Sequence, residues 1–278
     1  MRETPRPDLR LNPQVVEPIL TEFIADETRR TGRKTVVVGL SGGIDSALAA
    51  ILARRALGPR GVVAVLMPHR ASHAASERDA AALARKLGIR VERFDITPMV
   101  EAYFADQPRG DRIRRGNKMA RERMSILYDR SMVHDALVLG TSNKTELLLG
   151  YGTIHGDMAC SINPLGDLYK TQVRQLAAEV GVPAAIRRKA PSADLWPAQT
   201  DESEIGLTYD EVDRLLYTLV DERCERAAAI EAGWPRGLVD KVLRRVRLTQ
   251  FKRRLPLIAK ISSRTIGVDF RYPRDWGT

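Results

Sequence analysis

Residues 36–57, VVVGLSGGIDSALAAILARRAL, constrain the fold more than any other part of this chain. Val36, Val37 and Val38 read as a buried strand, while Leu48, Leu52 and Ala56 recur at helical spacing just beyond it. Between the two, Gly42 and Gly43 permit positive φ and carry no Cβ. Ser41, Ser46 and several backbone N–H groups can then converge on an anion at the positive end of the helix. The segment therefore predicts a cradle for a triphosphate or pyrophosphate. Asp45 sharpens the reading, because a carboxylate beside bound phosphate is repulsive unless a cation such as Mg²⁺ lies between them.

Spacing excludes the other glycine motifs. No Walker A lysine follows this loop, and Gly110 to Lys118 has the wrong gap with no Ser or Thr after its lysine. Gly150, Gly152 and Gly156 are one residue too long for a dinucleotide fingerprint. A plain strand–turn–helix with a structural glycine turn is the bland alternative. What remains resembles the SGGxDS pyrophosphatase loop of the ATP pyrophosphatases, enzymes that adenylate a substrate and release pyrophosphate.

The rest of the chain narrows the choice. In VLGTSNKTELLLGYG, residues 138–152, a strand leads to Thr141, Ser142 and Asn143 at an N-cap position and to a helix carrying Glu146. Downstream stand YGTIHGDM, NPLGDLYKTQVRQLA, APSADLW, QTDESEIGLTYDEVD and FKRRLP, with ARERM at 120–124. In order and spacing, from about residue 35 to residue 256, these resemble the NAD synthetases. The resemblance implies an ATP-dependent ligase that amidates deamido-NAD to NAD through an adenylated intermediate, with ammonia as the amide donor and Mg²⁺ as cofactor.

The alternation of elements points to the same fold class. After an amphipathic helix at 13–30, strands are predicted near 35–39, 61–67, 90–95 and 136–140, with helices between them. This is a three-layer, doubly wound parallel sheet of the Rossmann-like, adenine nucleotide alpha hydrolase-like kind, with its ligand crevice at the strand carboxyl ends. Residues 1–278 read as a single domain, of which 208–278 is a mostly helical extension. Segments 68–76 and 189–207 read as mobile loops, since they combine helix breakers with small and charged residues.

By resemblance, Gly39, Leu40, Ser41, Gly42, Gly43, Ile44, Asp45 and Ser46 carry the ATP phosphates, and Thr141, Lys170 and Ser192 complete the ATP contacts. Asp45 and Glu146 match the magnesium carboxylates. Lys170 is placed as the positive charge on departing pyrophosphate. Arg121, Ile154, Ser161, Phe251 and Lys252 fall on the deamido-NAD positions, although Ile154 and Ser161 cannot supply the charges that short NAD synthetases carry there and Phe251 has no ring donor or acceptor. The segment GTIHGDMACS instead resembles the synthetase domain of glutamine-dependent enzymes. Asp157 is retained; it can deprotonate ammonium or simply close an Asx-turn at Gly156.

Net charge bears on the partners. At +10 the chain is basic, and its cations cluster at 109–123 and 241–254. Neither cluster is interleaved with aromatics, as a single-strand stacking platform requires, so ATP and a dinucleotide are sufficient anionic partners and no nucleic acid is expected. Most of these charges, Arg114 and Arg245 among them, read as solvated. Cys160 and Cys224 lack metal-ligand spacing, and His69 and His73 lack a third nearby ligand. No apolar run suits a membrane span or a signal segment, so the expectation is a cytoplasmic chain with no membrane partner.

The resemblance further implies a homodimer, to which the N-terminal helix offers Val15, Val16, Ile19 and Phe23. Only 34 residues precede the first strand, too few for a glutaminase, so the nitrogen is expected as free ammonia or from a separate glutaminase partner. Two further classes stay open: an RNA-modifying ATP pyrophosphatase that adenylates a tRNA base, and a non-catalytic adenine-nucleotide binding module.

Overall fold

The computed structural model describes residues 7–107, 111–192, 194–196, 201–254, 256–267 and 269. Its order is α1 (Pro13–Arg30), β1 (Thr35–Gly39), α2 (Ile44–Leu57), β2 (Val62–Leu66), α3 (Ala74–Leu87), β3 (Arg90–Arg93), α4 (Thr97–Phe104), α5 (Arg112–Val133) and β4 (Ala136–Val138). Then come α6 (Lys144–Leu149), α7 (Lys170–Glu179), α8 (Ala184–Arg187), α9 (Asp201–Ile205), α10 (Tyr209–Leu216), α11 (Arg226–Glu231) and α12 (Arg236–Leu248).

The strands form one parallel sheet in the order β3-β2-β1-β4. Side-chain alternation explains the two helical layers. Val36 and Val38 point into a core shared with α1, α2, α3 and α7, whereas Val37, Val63 and Val65 point into one shared with α4 and α5. Helix α2 is buried at Ile44 and from Ser46 through Ala53, wedged between the sheet, α1 and α7. Strand β3 closes one edge with Arg90, Glu92 and Arg93, charges that discourage pairing with another chain.

The chain runs outward from β1 to β2 to β3 and then returns to place β4 on the other side of β1. The resulting switch point opens a crevice at the carboxyl ends of β1 and β4. The expected three-layer α/β class is the one observed, with strand limits within two residues of those predicted.

A third core lies beyond the sheet. Tyr209, Val212, Leu215 and Leu216 of α10 pack with Val239 and Val242 of α12, Trp234, and Leu149 at the end of α6. The helical extension is thus attached at the site end of the sheet. Of the predicted 189–207 loop, residues 193 and 197–200 lie outside the described residues, and 201–205 form α9. Among the described residues, no helix is long and apolar enough to cross a membrane.

Candidate active site

The glycine turn between β1 and α2 is held by its own hydroxyls. Those of Ser41 and Ser46 lie 3.0 Å apart, Gly43 donates its N–H to the Ser41 Oγ at 3.2 Å, and Ser46 donates to the Gly43 carbonyl at 3.1 Å. Gly42 is required twice over. Its φ is +79°, and a Cβ there would fall 2.2 Å from the Ser76 carbonyl oxygen. Helix α2 begins with no side-chain cap, which leaves its first N–H groups for a ligand.

Asp45, in the first turn of α2, meets a second helix start. Asn143 caps α6 by accepting the Glu146 N–H, and the Glu146 carboxylate accepts the Asn143 N–H in return. The same Asn143 donates its amide to Asp45 Oδ1 at 2.9 Å. Lys170, which opens α7, then places Nζ 2.5 Å from Asp45 Oδ2 and 3.1 Å from Glu146 Oε1.

Lys170 is buried, only 2 % exposed, and the two carboxylates are partly exposed toward the crevice. Burial pushes the Glu146 carboxyl up to about 8; the Lys170 charge opposes that rise and the Asp45 charge adds to it. Burial alone would lower the Lys170 ammonium, but Asp45 and Glu146 hold it above the ordinary lysine range. Asp201 stands near the same charges; burial raises its carboxyl, which accepts the hydroxyls of Tyr151 and Tyr209 at 2.9 and 3.0 Å.

A cavity of about 910 Å³ opens over these groups. Every predicted ATP and metal residue lines it: Gly39 through Ser46, Thr141, Glu146, Lys170 and Ser192, together with Asp157. Asp157 accepts the Thr153 N–H at 2.8 Å, so it closes a turn and also faces the cavity. Burial pushes its carboxyl above the usual carboxylate range, against the Thr153 bond and the charges of Lys252 and Arg123.

The predicted dinucleotide residues do not join this lining. Arg121 is exposed and donates to the Ile154 carbonyl at 3.2 Å, and Phe251 is 61 % exposed. Ser161 accepts the Val138 N–H through its hydroxyl oxygen. Lys252 donates to the carbonyls of Gly150 and Gly152, 2.8 and 2.7 Å away. Two of the three N–H groups of Lys252, expected to be a polar substrate contact, are thus spent on the chain's own backbone, while its charge still acts on Asp157.

The second basic cluster needs a correction. Arg245 donates to the Leu149 carbonyl at 3.2 Å and lies over the Tyr151 ring, and Arg253 donates to the carbonyls of Leu147 and Leu148. With Lys252, these cations satisfy the carbonyl end of α6, where a helix leaves acceptors unpaired and concentrates negative charge. Arg245 is thus a structural clamp and not a solvated charge.

Lys189 and Arg123 are among the cavity residues that the sequence reading did not single out. Lys189 reaches the Gly42 carbonyl at 3.4 Å and pairs with Asp79 at 2.7 Å. Arg123 had a legible signal: with Ala120, Met124 and Leu127 it completes the helical stripe that α5 buries, whereas Arg121 falls off it.

A glycine-lined anion cradle, an acid–lysine–acid cluster beside it and a switch-point crevice define an α/β enzyme that acts on nucleoside triphosphates. Comparison with known proteins carries this further. Residues 16–256 match the family model of NAD synthase, and the chain belongs to that family. It is 55% identical, over 97% of its length and 98% of the other's, to the NH(3)-dependent NAD(+) synthetase of Trichlorobacter lovleyi. The structure of NMN synthetase from Francisella tularensis aligns with a TM-score of 0.79 at 34% identity, covering 90% of this chain and 99% of that one. The NH3-dependent NAD synthetase from Campylobacter jejuni, solved with the nitrate ion, aligns with a TM-score of 0.77 at 33% identity, covering 90% and 100%.

Proposed function

We propose that this chain is an ammonia-dependent NAD synthetase that converts deamido-NAD, ATP and ammonia to NAD, AMP and pyrophosphate. A carboxylate does not react with ammonia directly, because its charge repels the nucleophile and oxide is a poor leaving group. Adenylation removes both obstacles. The nicotinate carboxylate oxygen attacks the α-phosphorus, pyrophosphate departs, and ammonia then adds to the acyl carbon and expels AMP. The observation that carries this reading is the meeting of Asp45, Glu146 and Lys170 at the mouth of the glycine turn, inside one cavity with Asp157.

The Ser41–Ser46 turn and the start of α2 receive the phosphates as hydrogen-bond donors. Lys170 is poised to exchange a carboxylate for the charge that develops on pyrophosphate. Asp157, with its raised carboxyl, takes the proton that ammonium must lose.

Asp45 and Glu146 are the residues that would hold Mg²⁺. Among the described residues no group of three or more His, Cys, Asp or Glu side chains could hold a metal ion by itself, and phosphate oxygens would complete the shell. The donor set fits, since two carboxylates converge at one point and buried Glu146 gains from any added positive charge. Bound there, the ion supplies charge neutralisation of the departing pyrophosphate.

The nitrogen enters as free ammonia or from a separate glutaminase. Arg121, Ile154 and Phe251 lie outside the cavity, where the remainder of a dinucleotide or a second subunit can reach them. Exposed Val15 and Ile19 on α1 favour a homodimer.

The deciding assay follows NAD formation and AMP release with deamido-NAD, ATP and either ammonium or glutamine, with nicotinate mononucleotide and tRNA as alternative acceptors. NAD formed with ammonium alone is the expected result. AMP release that depends on tRNA, or none with deamido-NAD, would overturn the reading.

A further inference from the structure

Arg123 enters the cavity wall from α5, in a lining that also holds Asp157 and Asp194. Its Nε donates to the Met67 carbonyl at 3.1 Å and an Nη to the Ser72 hydroxyl at 3.4 Å, both neutral acceptors. Among the described residues no carboxylate lies within ion-pair distance; Asp194 and Asp157 attract the charge only from further away. Burial is the largest influence on this guanidinium. A part-buried cation in a cavity wall, held only by neutral groups, keeps its charge and spare donors for an anionic ligand. A guanidinium also has more N–H donors than these two bonds use.

The position selects the anion. Phosphates are served by the glycine turn and Lys170, at the starts of α2 and α7. Arg123 shares the cavity with Asp157 and feels its charge, and Asp157 is the group that the proposed reaction places beside the carbon where ammonia adds. A planar guanidinium matches a planar carboxylate through paired hydrogen bonds. We propose that Arg123 receives the nicotinate carboxylate of the substrate and makes the site prefer the acid over the product amide.

Deamido-NAD and NAD differ only in that group, anionic in one and neutral in the other. Arg123 therefore holds the carboxylate up to its adenylation, which removes that charge, and the neutral amide formed next does not restore it, which favours release of NAD. Arg123 is a specificity-determining residue in this role. The inference rests on the proposed substrate.

The test is the ratio of dissociation constants for NAD and deamido-NAD, measured by calorimetry on the wild type, Arg123→Gln and Arg123→Lys. The wild type should prefer the acid by about 10- to 100-fold, the worth of a charge-assisted hydrogen bond. In Arg123→Gln the ratio should fall toward unity, in Arg123→Lys it should be partly retained, and ATP affinity should stay unchanged in both. A ratio unchanged in Arg123→Gln, or equal loss of affinity for acid, amide and ATP, overturns the inference while leaving the function intact. If Arg123→Gln does not fold, the ratio in Arg123→Lys decides, and a wild-type value there refutes the role. Absence of NAD formation by the wild type would instead fail the proposed function.

Discussion

Lys252 and Gly152 are 100 residues apart in the chain, yet the ammonium of one donates to the carbonyl of the other at 2.7 Å. The same ammonium holds Gly150, so one side chain fixes the turn that leads from α6 to Asp157. Replacing Lys252 with Met keeps the aliphatic stem and removes both bonds. Stability should fall by about 1–3 kcal/mol, the range for hydrogen bonds to a charged group. Thermal unfolding measures this directly, and an unchanged midpoint would show that the clamp is not formed in solution.

Asp45 joins the two helix starts through Asn143 and Lys170. Asp45→Ala should leave the fold intact while lowering the adenylation rate by about 100-fold or more, since charge stabilisation at the leaving group is lost. Pyrophosphate release at saturating Mg-ATP is the measurement. Turnover near that of the wild type would remove Asp45 from the reaction.

Glu146 links stability to pH. Its carboxyl is raised from the ordinary 4.5 to about 8, so between these values the folded chain binds more protons than the unfolded one. Stability must then decrease as pH rises through that window, and Glu146→Gln removes this contribution. The stability of the variant relative to the wild type should therefore improve steadily from pH 5 to pH 8. Chemical denaturation across that range tests it, and a slope of opposite sign would refute the assignment.

The exposed Val15 and Ile19, 52 % and 60 % accessible, lie on α1, while Val16 and Phe23 of the same helix pack against the sheet's helical layer. If the exposed pair is covered by a second copy, the unfolding temperature rises with protein concentration. Sedimentation at micromolar concentration gives the direct check: a fully active monomer would rule the dimer out.

What the sequence alone determined is local. Val36–Val38, Gly42–Gly43 and the Leu48–Ala56 periodicity occupy one continuous stretch, so strand, turn and helix are written in neighbouring residues and the parallel sheet follows from their repetition. That the residues expected to bind ATP and metal would line one cavity was legible for the same reason, because all but Ser192 sit near a strand end or in the first turn of a helix.

Tertiary structure decided which charges meet. Lys170 lies 125 residues from Asp45 and 24 from Glu146 in sequence, and only the packing of α2, α6 and α7 brings their charges to one point. It also decided between neighbouring arginines. The core that buries Ala120, Met124 and Leu127 turns Arg123 inward and leaves Arg121 in solvent. The cations at 245–253 read as surface charge until the extension folds back on α6, whose carbonyl end they satisfy. Side-chain type travels with the sequence, but the partner of a charge is set by which elements pack together, and that packing is long-range.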